Sequence, residues 1–190
     1  MITPNEFNIK ALVNMASDLS IVPLTVIFTF FIVISLYFLM RPETRHRRYI
    51  RQSMSVIKTV NSIEAPQKKI TYLRKINPFV FEELILSCLD TQGHKIVRNT
   101  KYTGDGGIDG VVIIDSCKYL IQAKRYNGYV SKRDIENFDR LCRTKKCKGL
   151  FVHTGRTGKQ VISRFRSSNI DIVSGSRLLS LISGSFSPAL

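Results

Sequence analysis

The run Gly104-Asp105-Gly106-Gly107-Ile108-Asp109-Gly110 constrains the fold of this chain more than any other segment. It leads into Val111-Val112-Ile113-Ile114, a polar break at Asp115-Ser116-Cys117-Lys118, and then Tyr119-Leu120-Ile121-Gln122-Ala123-Lys124. Two apolar, β-branched runs flanked by glycine and separated by polar residues read as strand, tight turn, strand. With Ser116-Cys117 as the turn, Asp115 pairs with Lys118, and counting back sets Asp109 opposite Lys124. Side chains alternate along a strand, so Gln122 and Lys124 share a face, and Asp109 shares it in this register. An acid, an amide and a cation then converge at the open end of an apolar hairpin. Such a group can hold a divalent metal beside a phosphodiester. A solvated glycine-rich turn has a similar composition, but the glycine cluster and the hairpin register agree with each other, which favours the site.

Charge narrows the partners. The net charge is +15 over 190 residues, with a pI near 10. Before residue 41 the only Lys or Arg is Lys10, so the excess lies downstream. Residues 41–75 hold ten Lys/Arg against Glu43 and Glu64. A basic segment followed by a basic domain favours a polyanion, nucleic acid or anionic lipid, over small neutral substrates. Cys88, Cys117, Cys142 and Cys147 show no disulfide framework and suggest reduced thiols. Cys142 and Cys147 with His153 match no common zinc spacing.

Ile21 to Met40 is a run of twenty residues without charge. At ~1.5 Å per residue a helix of that length crosses a hydrocarbon core of ~30 Å. Arg41, Arg45, Arg47, Arg48 and Arg51 follow it, where a cleaved leader would want its basic residues in front. The expectation is a retained single-pass anchor in a cell inner membrane, with everything after Met40 cytoplasmic. The expected division is a short outer segment (1–20), a transmembrane helix (21–40), a basic juxtamembrane helix and linker (41–75) and a catalytic domain (76–190). The juxtamembrane helix runs from Arg45 to about Asn61 and is ended by Pro66, and its arginines are placed to touch lipid headgroups.

Within the last segment, Asn77-Pro78 starts a helix that Gly93 closes, with Glu82 and Glu83 in its opening turns. A strand over Lys95–Asn99 and the hairpin follow, and Ser131 caps a helix reaching Arg143. Strands over 148–154 and 170–173 alternate with helices over 158–167 and 177–182. This order predicts an α/β fold, a mixed sheet with helices on both faces.

Phe81-Glu82, Gly93, the loop Gly104 to Asp109, Gln122-Ala123-Lys124-Arg125-Tyr126 and Gly149–Thr154 resemble, in order, the catalytic domain of Mrr-like restriction endonucleases. These belong to the PD-(D/E)XK nuclease superfamily, in the variant with Gln in place of the second acid. The resemblance covers roughly residues 76–182 and implies a restriction-endonuclease-like sheet. It implies that Asp109 is the principal metal-ligating acid, Gln122 a neutral contributor, Lys124 the motif lysine and Glu82 the helix acid, with Glu83 as its alternative. It also implies a Mg²⁺ cofactor, since hard oxygen donors suit that ion. Asp105 matches the family loop without an assigned role. Lys101, Arg125, Lys132, Arg133, Lys145, Lys146 and Lys148 are candidate phosphate contacts. Tyr126 and Tyr129 are as readily packing residues as base-stacking ones. Gly155-Arg156-Thr157-Gly158-Lys159-Gln160 lacks the full spacing of a phosphate loop and its following Ser/Thr, so nucleotide binding is rejected.

The expected function is a membrane-anchored, Mg²⁺-dependent DNA endonuclease in restriction of foreign or modified DNA. Cutting both strands makes a homodimer plausible. The alternatives are a membrane-bound DNA-binding tether without turnover and a repair or junction-resolving nuclease.

Overall fold

The computed structural model describes residues 25–39, 43–99 and 107–189, and the chain divides into two units, Met1–Glu43 and Thr44–Leu190. In the first unit, residues 25–39 form helix α1, and every one of them except Ile34 is exposed. Among the described residues no helix is long and apolar enough to cross a membrane. The expected span over 21–40 is therefore not borne out there, and residues 21–24 and 40 lie outside the described set.

The second unit is built from α2 (Arg45–Ser62), α3 (Pro66–Leu73), α4 (Pro78–Thr91), β1 (Lys95–Arg98), β2 (Gly110–Ile114) and β3 (Cys117–Lys124). It continues with α5 (Lys132–Thr144), β4 (Lys148–His153), α6 (Lys159–Phe165), β5 (Ile170–Val173) and α7 (Gly175–Ser183). Local chemistry accounts for the helix starts. Asn77 Oδ1 accepts from Phe79 N with Pro78 in the first turn, and Ser131 Oγ accepts from Asp134 N. Gly93, at φ +85°, turns the chain from α4 into β1, a conformation that glycine adopts without a Cβ penalty.

Among the described residues, five strands lie in the order β1-β2-β3-β4-β5. The first two pairings are antiparallel and the last two parallel, so the sheet is mixed as expected. Burial alternates along β2, and the two faces of the sheet pack against different helices. Tyr119, Ile121 and Ala123 of β3 join a core with α2, α3, α4 and α7, while Leu120 joins Ile135 and Phe138 of α5 and Phe165 of α6.

Residues 41–75, expected as a juxtamembrane helix and linker, belong from Thr44 onward to the same compact unit as the sheet. The helix over Arg45–Ser62 forms as expected, but its stripe Tyr49, Ser53, Val56 and Val60 packs inward. Ser53 Oγ lies 3.2 Å from Ser87 Oγ on α4, and His46 Nδ1 lies 3.0 Å from Glu83 Oε1. Pro66 does not end that helix. It opens α3, where proline at the first helical position costs no hydrogen bond.

Candidate active site

Turn chemistry sets the hairpin register. Asp115 (φ 48°) and Ser116 (φ 65°) both occupy the left-handed region, as a two-residue type I′ turn demands. The turn is thus Asp115-Ser116 rather than Ser116-Cys117, and Ile114 pairs with Cys117. The ladder ends at Gly110↔Ile121, which sets Asp109 against Gln122, two residues short of the expected Lys124. A slip of two preserves the alternation, so Asp109 keeps the face expected for it. The expected pairing of Asp115 with Lys118 is lost, because Lys118 pairs with Ile113.

Asp109 sits where β2 and β3 begin to part. Its backbone N donates to Ile121 O at 2.9 Å, and its Oδ2 accepts from Ala123 N at 2.6 Å. Asp109 is therefore fastened to the backbone of β3 on both sides of Gln122, by its own N–H on one side and by its carboxylate on the other. Gln122 is buried, and its Nε2 donates to Gly107 O at 2.6 Å, which turns Oε1 away from that carbonyl. A Cβ on Gly107 would lie 2.3 Å from Gln122 Nε2, and the residue has φ +85°. Only glycine allows the loop to come this close. Gly104, Asp105 and Gly106 lie outside the described residues, as does Lys101.

Lys124 ends β3 on the same face as Gln122. Its Nζ lies 3.1 Å from Asp134 Oδ2 on α5, and the Tyr126 hydroxyl donates to the same oxygen. Burial alone would raise the Asp134 pKa. The hydrogen bonds from Tyr126 and Lys124, with the charges of Lys124 and Arg133, outweigh it and hold the carboxyl below its usual range. The Tyr126 hydroxyl is pushed up, first by burial and then by the Asp134 hydrogen bond and charge. Sequence reasoning missed Asp134. Its signal was its place in the first turn of a Ser-capped helix, beside the strand end that carries Lys124.

Glu82 is half-buried on α4. That helix reverses into β1 through Gly93, so its first turns lie over the end of the sheet where Arg98 pairs with Gly110. A Cβ on Gly110 would lie 2.6 Å from Leu86 Cδ2, and Glu82 stands one turn before Leu86. Glu82 is thus placed at this end of the sheet on the α4 face, whereas Asp109, Gln122 and Lys124 share the face toward α5. Glu83, its alternative, is buried and engaged by His46 at 3.0 Å and Arg98 at 3.4 Å, a structural position.

The donor set at this end, one carboxylate and one amide oxygen, fits a hard divalent cation. Among the described residues no group of three His, Cys, Asp or Glu gathers at one point. A magnesium-type ion tolerates that poverty because it keeps several waters and takes substrate phosphate as a ligand.

Residues 73–182 match the model of the Mrr catalytic domain, described as a restriction endonuclease, over more than half of the chain. The chain belongs to the Mrr-type restriction endonuclease family. It is 31% identical over 119 residues to the type IV methyl-directed restriction enzyme EcoKMrr of Escherichia coli (strain K12). That alignment takes in 58% of this chain and 39% of the relative, so the chain spans about two fifths of the length of the curated relative it matches. No solved structure matches.

The Mrr-type frame separates the candidate phosphate contacts into two groups. Lys132 and Arg133 are exposed in the first turn of α5, next to Asp134 and the Lys124 end of the sheet. Lys145 and Lys146 are exposed beyond the last turn of that helix, about 20 Å away along its axis. Lys148 lies at the same remote end, over the Tyr119 ring at 5.6 Å. Arg125 has a structural task. Its Nη1 donates to Arg74 O at 2.9 Å, tying the end of β3 to the C-terminal cap of α3. All four cysteines are free.

Proposed function

We propose that the chain is a Mg²⁺-dependent endonuclease that hydrolyses phosphodiester bonds of foreign or modified DNA. The observation that carries this reading is the fastening of Asp109 and Gln122 at one sheet end, with Lys124 on the same face one step along β3. A bound Mg²⁺ would acidify water and neutralise charge on the scissile phosphate. Asp109 and Gln122 are the residues to hold it. Lys124 would stabilise charge developing on the phosphoryl oxygens, since its bond to Asp134 leaves further N–H donors on the ammonium. Asp134 acts as a positioning residue by fixing where that ammonium sits. Lys132 and Arg133 supply backbone contacts at the same end. Cleavage of both strands calls for a second site, and a second copy of this chain would supply it.

The reading also includes a tether at the inner membrane with the nuclease domain cytoplasmic. Its support is helix α1, which exposes Phe28 at 67%, Phe31 at 63% and Phe38 at 64%, and the arginines that follow. Apolar surface of that extent stabilises contact with an apolar phase.

One observation favours the rival reading of a DNA-binding tether without turnover: the Lys124 ammonium is paired with Asp134. Incubating the full chain with methylated and unmethylated DNA, with Mg²⁺ or with chelator, separates the two. The nuclease cuts only with Mg²⁺ and loses cutting in Asp109→Ala. Strong, salt-sensitive binding without cutting would leave only the tether.

A further inference from the structure

The parallel strands β3, β4 and β5 end at the same side of the sheet. Beyond that side, β4 runs into Thr154–Thr157 and β5 into Ser174–Ser176, and a cavity of about 740 Å³ lies against both turns. The crevice beyond the carboxyl ends of parallel strands is where sheets of this kind take ligands. The size is that of a small-molecule site.

The cavity has two chemistries. Ile162, Phe165, Ile170 and Ile172 give it an apolar surface. Arg74, Arg156, Arg166 and Arg177 line it against a single acid among the described residues, Asp171. Asp171 is consumed by Arg177, with Oδ2 at 2.7 Å from Nη2. Arg74 spends Nε and Nη2 on the neutral Thr154 O, so its charge is not cancelled. Arg156 and Arg166 are exposed and have no side-chain hydrogen bond or ion pair among the described residues. Two hydroxyls of the lining, on Thr157 and Ser174, are held in a hydrogen-bonded chain. Gly155 N donates to His153 Nδ1, so the neutral ring carries its proton on Nε2, facing Thr157 Oγ1 at 3.2 Å, and Thr157 Oγ1 lies 3.0 Å from Ser174 Oγ.

Uncancelled guanidinium groups and hydroxyls beside an apolar wall suit a flat ring that carries a phosphate. We propose that this cavity is a nucleotide site, with the base on the isoleucine wall and the phosphate on Arg156 and Arg166. The contact is made by side chains, so the missing phosphate-loop spacing in Gly155–Gln160 is no obstacle. Tyr129, 70% exposed, is joined by a backbone bridge to Arg156, which lines the cavity. The strand spacing places β5 about 10 Å from β3, which makes a nucleotide of the substrate strand one source and a free mononucleotide the other. Only the choice of DNA strand as source rests on the nuclease reading.

The test is calorimetric titration of the full chain with dAMP, deoxyadenosine and inorganic phosphate. dAMP is expected to bind at least about tenfold more tightly than either fragment, and Arg156→Ala/Arg166→Ala to lose about tenfold or more. Both arginines are exposed, so the variant keeps its unfolding midpoint. A single-stranded hexanucleotide that displaces dAMP assigns the cavity to the substrate strand, and one that binds alongside dAMP assigns it to a free nucleotide. Binding of dAMP no tighter than phosphate, or unchanged in the double variant, overturns the proposal. Asp109→Ala separates the two readings, since it is expected to abolish cleavage and leave dAMP binding unchanged.

Discussion

Gly107 shows how much of the proposed site hangs on one missing side chain. Gly107→Ala places a Cβ 2.3 Å from Gln122 Nε2 at a φ of +85°, so the loop or the amide must move. The expected result is a fall in DNA cleavage of at least about tenfold, with a loss of stability of only about 1–3 kcal/mol in urea unfolding. Asp134→Asn is expected to slow cleavage while leaving DNA affinity within about threefold, because it loosens Lys124 without removing it. Tyr126→Phe keeps the ion pair and should be milder, and equal effects of the two would deny Asp134 its positioning role. The types and order of Asp109, Gln122 and Lys124 were legible in sequence. Asp134 was not, since nothing in its own helix says that a lysine ten residues earlier lies within 3.1 Å.

At the scale of elements, capping and turn residues carried most of the information. Asn77-Pro78 and Ser131 start helices where their chemistry says they should. The hairpin was placed correctly and its turn was not. Asp115 and Ser116 tolerate positive φ without the glycine that usually advertises it, so the register slipped by two while the face was kept. The helix Arg45–Ser62 was foreseen, but its basic residues hid a stripe that Val56 and Val60 bury against α4. Val60→Ala is expected to cost about 2 kcal/mol, measured by urea unfolding, where a solvated linker helix would show almost no change. His153, at the end of β4, is buried and its pKa is held down by that burial to about 4, against 6.5 in the unfolded chain. Between those values the unfolded state binds a proton that the folded state does not. Stability is therefore full above pH 6.5 and falls by about 3 kcal/mol toward pH 4. The urea midpoint followed over that range should show the slope, and His153→Gln should flatten it.

For the whole molecule, the charge reading and the apolar run point the same way without being the same evidence. A +15 chain whose excess begins at residue 41 is suited to a polyanion at neutral pH. Its DNA affinity should fall steeply with salt. The membrane reading turns on α1, and flotation of the full chain with vesicles rich in anionic lipid tests it. Association that survives 1 M salt, where the Debye length is ~3 Å, is expected from apolar insertion, and release by salt would reduce the contact to the arginines. The central claim lies in the other unit: Asp109, Gln122 and Lys124 form one hydrolytic site at the end of the sheet. Its most direct measurement is single-turnover cleavage of plasmid DNA by the folded chain, alongside Asp109→Asn and Lys124→Met. A loss of at least about a hundredfold in both, with DNA binding and unfolding midpoints retained, is the expected result. Cleavage unchanged in either variant would contradict it.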